Sequence, residues 1–166
     1  LMAIVIPLFY KYVKQVHTGW FVLLLPTILF IYFVQFIPQV SGGNPVSDSF
    51  AWVPSLGINF DVYIDGLGLL FALLITGIGA LVVLYSIYYL TEKGEALHNF
   101  YVYLLMFMGA MLGVVLSGNL IVIYVFWELT SVASALLIGY WHHRENSRNG
   151  ALKSMLITVL GGLSML

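Results

Sequence analysis

One acid stands in the middle of a long apolar run. The segment YVFWELTS lies inside NLIVIYVFWELTSVASALLIGYW and places Glu128 among apolar side chains. If Asn119 and Trp141 mark the ends of a helix, Glu128 lies roughly 13 Å from one end and roughly 20 Å from the other. That depth is near the midplane of a bilayer, where a charged acid costs on the order of 2.5–3.5 kcal/mol. Such an acid is expected to face a protein interior or a water-filled cavity, and an ion or proton path is its first interpretation.

The helical neighbours of Glu128 fit that interpretation. Tyr124 and Ser131 lie about one turn away, and Thr130 and Ser134 lie nearby. We therefore expect one side of this helix to be small and hydroxylated, with room for water or a proton beside the acid. The structural alternative is a protonated or hydrogen-bonded acid that only joins two helices.

Lys153 is the second ionisable residue within an apolar run. Near the start of the last helix, it should lie roughly 14 Å short of the depth of Glu128, which is about twice the reach of a lysine side chain. Lys153 either snorkels to the cytoplasmic interface or acts as a relay point reached through water. The counter-charge of Glu128 is accordingly expected outside this chain.

The remaining chemical candidates are weaker. The four histidines lie in or beside the connecting loops, where they are either solvated residues or groups at a proton entrance. They are His17, His98, His142 and His143. The chain has no cysteine, and we find no nucleotide-binding or metal-ligand motif. The sequence therefore predicts no cofactor and no metal site.

The composition indicates an integral membrane protein. Of the 166 residues, 61% are hydrophobic and only 8% are charged. In a typical soluble domain, about a quarter of all residues are charged. The formal net charge of -1 gives no reason to expect a nucleic-acid partner. Because backbone groups in lipid must be satisfied within the segment, the long apolar runs are expected to be helices.

We expect an all-α membrane protein with about six transmembrane helices and one β-hairpin loop. The helices are expected near residues 1–10, 20–37, 67–90, 100–116, 120–140 and 151–166, and the hairpin loop at 38–66. The first and last runs are too short to span a bilayer, so we expect them to be truncated parts of a longer protein. The hairpin is expected because Leu56, Ile58, Phe60, Val62 and Ile64 alternate with smaller or polar residues.

Two local features add to this architecture. Asp65 directly precedes the third helix and is expected to cap its N-terminus. Gly109, Gly113 and Ser117 repeat every four residues, which predicts a small face on the fourth helix where another helix approaches closely.

The loop cations all fall on one side. They are Lys11, Lys14, Lys93, Arg144 and Arg148. The alternate loops, 38–66 and 117–119, contain no lysine or arginine. The positive-inside rule then predicts a cytoplasmic position for the cationic loops, an outside N-terminus and an outward-facing hairpin.

Three stretches resemble a known family. They are DGLGLLFALLITGIGALVVLYSIYYL, FMGAMLGVVLSGNLIVIYVFWELTSVASALLIGYW and GALKSMLITVLGG. They are similar to the antiporter-like subunits shared by Mrp-type cation/proton antiporters and respiratory complex I. Within this family, KSMLITVLGGLSML is similar to the large A subunits of Mrp-type antiporters. Complex I relatives tend to carry Arg and Asp where this chain has Val159 and Gly162.

The resemblance implies a full protein with a core of about 14 helices that contains two inverted repeats. This chain would be its N-terminal part. Glu128 would be the glutamate of the fifth helix, which pairs in the family with a lysine of the seventh helix, and Lys153 matches a lysine at the start of the sixth. The protein would work in a hetero-oligomeric complex of the bacterial cytoplasmic membrane.

Three hypotheses follow. In the first, the chain belongs to a secondary transporter that exchanges cytoplasmic Na⁺ for external H⁺, with Glu128 on the proton path. In the second, it belongs to the proton-pumping membrane arm of a complex I-type NADH:quinone oxidoreductase. In the third, it is a structural membrane scaffold.

Overall fold

The computed structural model describes residues 18–53, 58–90, 97–141 and 143–164. The described part contains six helices and two strands. They are α1 (Thr18–Val34), α2 (Ile37–Ser41), β1 (Val46–Val53), β2 (Ile58–Ile64), α3 (Gly66–Tyr89), α4 (Leu97–Leu116), α5 (Leu120–Ile138) and α6 (Glu145–Leu163). The helix expected near residues 1–10 lies outside the described residues.

Four helical segments in the described part are long and apolar enough to cross a membrane. They are Thr18–Ser41, Gly66–Tyr89, Leu97–Leu116 and Leu120–Ile138. The first of these includes the two-residue turn between α1 and α2. The chain is therefore a multi-pass membrane protein. The predicted all-α membrane architecture with one small hairpin is confirmed.

The last helix differs from its predicted bounds. The apolar run that predicts it starts at Ala151, but α6 begins at Glu145 and includes the polar stretch ENSRN. Arg148, expected in a loop, consequently lies near the start of this helix. The apolar run marks only the part of a helix that can sit in lipid, so a polar N-terminal turn escapes a search based on hydropathy.

The helices pack in the order of the chain. Helix α1 contacts α3, α3 contacts α4, α4 contacts α5, and α5 contacts α6. One core cluster joins α1, α3 and α4 around the fully buried side chains of Val22, Val83 and Tyr101. Many large apolar side chains stay exposed on the outer faces, among them Leu81, Leu156 and Ile157, as expected for surfaces that face lipid or other helices.

The hairpin confirms the period-two prediction. Strands β1 and β2 pair antiparallel, with Val46 opposite Ile64 and Phe50 opposite Phe60. Ile64 is buried in a second core cluster with Phe33, Leu69 and Ala72. The hairpin is therefore fastened to α1 and α3.

The connection between α4 and α5 lies at the same end of the bundle as the hairpin. The Gly118 N–H donates a hydrogen bond to the Asp61 carbonyl oxygen at 2.8 Å, and Ser117 pairs with Val62. This end holds Asp48, Asp61 and Asp65. The described arginines, Arg144 and Arg148, lie at the opposite end, beyond the last residue of α5.

Asp65 caps α3 as predicted. Its Oδ1 accepts a hydrogen bond from the Gly68 N–H at 2.6 Å. We expect Asp65→Ala to lower the free energy of unfolding by about 1 kcal/mol, because the cap is lost. Asp65→Asn, which can still accept this bond, should change it much less. Thermal unfolding of the purified full-length protein measures the difference, and equal losses in the two variants would contradict this role.

Candidate functional site

Glu128 lies close to the centre of α5. The helix begins after the N-cap residue Asn119, whose Oδ1 accepts a hydrogen bond from the Ile121 N–H at 2.9 Å. It ends at Ile138, short of Trp141, which the sequence suggests as its end. Glu128 is thus about 13 Å from one end and about 15 Å from the other. The observed helix places the acid closer to the middle than expected.

One oxygen of the Glu128 carboxylate is enclosed without a polar partner. Its Oε1 is buried and forms no hydrogen bond with any residue that the structure describes. One turn earlier on α5, the Tyr124 phenol lies close enough to interact with the Glu128 carboxylate. Oε1 is thus enclosed by packing, and the phenol of Tyr124 is the polar group beside the carboxylate on the same helix.

The hydroxyl groups near Glu128 are present but engaged elsewhere. The Thr130 and Ser131 hydroxyls donate to the Trp127 carbonyl oxygen at 2.6 Å and 3.2 Å, and the Ser134 hydroxyl donates to the Ser131 carbonyl oxygen at 2.9 Å. Such bonds within a helix are common for serine and threonine in apolar surroundings. These hydroxyls keep acceptor lone pairs for water or a proton carrier, while their own protons are committed to the helix backbone.

Helix α6 runs antiparallel to α5 and brings Gly162 to Glu128. At one point a Cβ on Gly139 would lie 3.4 Å from the Cβ of Ala151. Eleven residues back along α5 is Glu128, and eleven residues forward along α6 is Gly162. There a Cβ on Gly162 would overlap Glu128 Oε1 and would lie 3.4 Å from the Trp127 ring. Gly162 is itself buried.

Sequence reasoning missed this contact with Gly162. From the sequence, Gly162 was notable only because complex I relatives tend to carry a charged residue at that position. The helix register that places it opposite Glu128 comes from the packing of α5 against α6, which apolar patterns do not specify.

Lys153 does not approach Glu128. In the same antiparallel register it is level with Leu137, nine residues from Glu128, which corresponds to about 13 Å along the helix axis. Its side chain is exposed. Neither residue forms an ion pair with any other residue in the described ranges.

A cavity of about 610 Å³ opens between α4, α5 and α6 at the end that carries the arginines. Its polar lining includes Asn99, Tyr103, His143 and Arg148, and its inner end reaches Val132. Val132 lies one turn from Glu128 on α5. The cavity thus extends from the cationic end of the bundle to within one helical turn of the acid.

Two of the four candidate histidines lie in the described part of the chain. His143 lines this cavity, and His98 lies partly buried at the start of α4. His17 and the side chain of His142 lie outside the described residues. Next to His143, the Arg144 guanidinium lies 5.0 Å from the centre of the Trp141 ring. No cluster of three or more metal-ligating side chains occurs among the described residues.

Two family models match the chain. One, described as NADH-ubiquinone oxidoreductase (complex I), chain 5 N-terminus, matches residues 50–101. The other, described as NADH:quinone oxidoreductase/Mrp antiporter, TM, matches residues 117–166. Glu128, Lys153 and Gly162 all lie in the second match.

Curated relatives match the chain over its whole length. The A subunit of the Na(+)/H(+) antiporter of Alkalihalophilus pseudofirmus is 70% identical over 166 residues, and that of Bacillus subtilis is 66% identical. The corresponding A1 subunit of Staphylococcus epidermidis is 60% identical. The chain covers 21% of the length of each, so it spans about a fifth of these relatives.

Two solved structures share the fold. The structure of the Mrp complex from Dietzia sp. DQ12-45-1b matches with a TM-score of 0.85 and 30% identity, over 98% of this chain and 17% of that chain. The membrane-bound sulfane sulfur reductase, an archaeal respiratory membrane complex, matches with a TM-score of 0.81 and 19% identity, over 96% of this chain and 32% of that chain. The second likeness concerns the fold alone.

Proposed function

Because the chain belongs to the family of membrane proteins described as NADH:quinone oxidoreductase/Mrp antiporter, we propose that it forms part of a multi-subunit monovalent cation/proton antiporter. The antiporter would exchange cytoplasmic Na⁺ for external H⁺. One observation carries this choice over the respiratory one. All 166 residues align at 70% and 66% identity with the A subunits of Na(+)/H(+) antiporters, whereas the respiratory complex shares 19%.

Within this function, Glu128 is the carboxylate on the intramembrane proton path. Its depth, its enclosed Oε1 and the phenol of Tyr124 support that role. The cavity that ends at Val132 supplies a route by which water could bring a proton to within one turn of Glu128.

Lys153 has a secondary role in this proposal. It is exposed and about 13 Å from the level of Glu128, so any transfer between the two needs intervening water. The counter-charge that pairs with Glu128 is proposed to come from a later helix of the full-length protein.

The orientation is proposed from charge. The arginine-bearing end of the bundle faces the cytoplasm, and the hairpin, whose end carries Asp48, Asp61 and Asp65 without a lysine or arginine, faces outward. The protein would lie in the bacterial cytoplasmic membrane with its N-terminus outside. Its partners would be the other membrane subunits of an Mrp complex and the surrounding lipid.

A Na⁺ pulse tests the function. Everted vesicles that contain the full-length complex are first acidified through an independent proton pump, which is then stopped. We expect added NaCl to collapse the pH gradient, read with a pH-sensitive dye, without any electron donor. Vesicles without the complex control for passive leak.

The result separates the rival functions. A Na⁺ response in the absence of an electron donor supports the antiporter. Proton movement that appears only when NADH or another electron donor is supplied would contradict it and favour a complex I-type proton pump. An intact, assembled complex with neither response would favour a structural scaffold.

A further inference from the structure

The contact between Gly162 and Glu128 is specific to one of two adjacent glycines. A Cβ on Gly162 would overlap Glu128 Oε1, whereas a Cβ on Gly161 would have no heavy atom within 4 Å among the described residues. The two positions have the same residue type, the same helix and nearly the same depth. They differ in which face of α6 they occupy.

We propose that Gly162 is a positioning residue whose missing side chain holds the Glu128 carboxylate in the geometry needed for proton transfer. The bare backbone of α6 forms one wall of the carboxylate site, and Tyr124 is a turn away on α5. This inference rests on the proposed role of Glu128 in the proton path. It adds a residue on a second helix that sets where the proton is held.

The contact leaves the carboxylate little freedom to move toward α6. Oε1 is buried and has no hydrogen-bond partner within the described ranges, so packing rather than a polar bond fixes it on that side. The Trp127 ring lies beside the same space, 3.4 Å from the position of the missing Cβ. A methyl group at Gly162 therefore has to displace the carboxylate, the helix or both.

The carboxylate is the part that yields most easily. It is the far end of a flexible side chain, and rotating it costs less than separating two packed helices. Gly162→Ala should accordingly leave the fold and assembly intact while it turns the carboxylate away from its native position. A misplacement of about 1 Å in a reacting group can lower a rate about 100-fold.

The experiment compares matched variants of the full-length protein in the assembled complex. We expect Gly162→Ala to lower the Na⁺-driven proton flux by about 10- to 100-fold per assembled complex. Gly161→Ala should keep the flux within about twofold, because it adds the same methyl group to open space. Assembly is measured by the amounts of the other complex members that copurify.

A shorter acid provides the second readout. Glu128→Asp withdraws the carboxylate by one methylene, so it should lower the flux when residue 162 is glycine. In the Gly162→Ala background the same change should raise the flux above that of Gly162→Ala alone, because the overlap is relieved. A purely structural defect in α6 would not be corrected by shortening a side chain on α5.

Each outcome bears on the proposal. Equal fluxes in Gly162→Ala and Gly161→Ala overturn it, and so does a Gly162→Ala defect that Glu128→Asp fails to improve. If Gly162→Ala does not assemble, restored assembly in the double variant supports the overlap, and continued failure overturns it. Normal flux in assembled Glu128→Ala would refute the proposed proton path itself, independently of these comparisons.

Discussion

A complex in which glutamine replaces Glu128 should assemble normally and lose Na⁺-driven proton movement. Glutamine has nearly the size of glutamate, so it can occupy the space beside Gly162 and keep a polar group near Tyr124. It cannot bind and release a proton at neutral pH. Since a positioned proton-transfer group contributes about 10²- to 10⁴-fold to a rate, the flux should fall at least about 100-fold.

Glu145 provides the matched control. It is the only other glutamate in the helices that the structure describes, and it is exposed in the first turn of α6. Glu145→Gln removes the same charge from the same chain at a solvated position. Its flux should stay within about twofold of the unchanged complex, since exposed charges contribute little energy.

The measurement is the dye-reported pH change after NaCl addition, normalised to the amount of assembled complex. Retention of more than about a tenth of the flux in Glu128→Gln would mean that protons cross without titrating this carboxylate. Equal losses in the two glutamine variants would instead indicate a general effect of removing negative charge.

The helices were predictable because lipid leaves the backbone few choices. Four apolar runs of helical length had to satisfy their own hydrogen bonds, and four segments able to span a membrane occur in the described part of the chain. The hairpin was visible because its alternation at Phe60, Val62 and Ile64 has period two. The start of α6 could not be predicted from hydropathy, because the residues at 145–149 are helical but polar.

The small face of α4 was only partly predictable. Gly113 packs against the Phe126 ring, but Gly109 has nothing within 4 Å of its missing Cβ among the described residues. A four-residue repeat shows which residues share a helix face. It does not show how far along that face the neighbouring helix extends, because this depends on the crossing of two helices.

The candidate residue could be chosen from the sequence, but its surroundings could not. The cost of burying an acid at midplane pointed to Glu128 from the sequence alone. Helical arithmetic on the sequence also separated Lys153 from it. The register between α5 and α6, and hence the contact with Gly162, comes from side-chain packing between segments, which no single helix encodes. The sequence also did not show that the hydroxyl groups near Glu128 donate their hydrogen bonds to backbone carbonyl oxygens of α5.

The tight contact between α4 and α5 should make Gly113 intolerant of any side chain. A Cβ on Gly113 would overlap three atoms of the Phe126 ring. That ring also packs against Phe60 of the hairpin, with centroids 6.0 Å apart and an edge-to-face angle of 65°. Unlike a carboxylate at the end of a flexible side chain, a bulky ring that packs against two elements moves only by disturbing both. Gly113→Ala should therefore lower the free energy of unfolding by about 1–3 kcal/mol, as overpacking does.

Gly109→Ala, one turn earlier on α4, isolates the packing effect. Both changes replace a helical glycine and so bring the same gain in helix propensity, but only Gly113 has a neighbour in its way. We expect Gly109→Ala to leave the midpoint of thermal unfolding unchanged or slightly raised. Phe126→Leu should destabilise the unchanged protein by loss of packing yet partly restore the Gly113→Ala variant, because the smaller side chain makes room for the methyl group. Additive losses in the double variant would mean that Phe126 and Gly113 are independent, so that α4 and α5 are not joined through this contact.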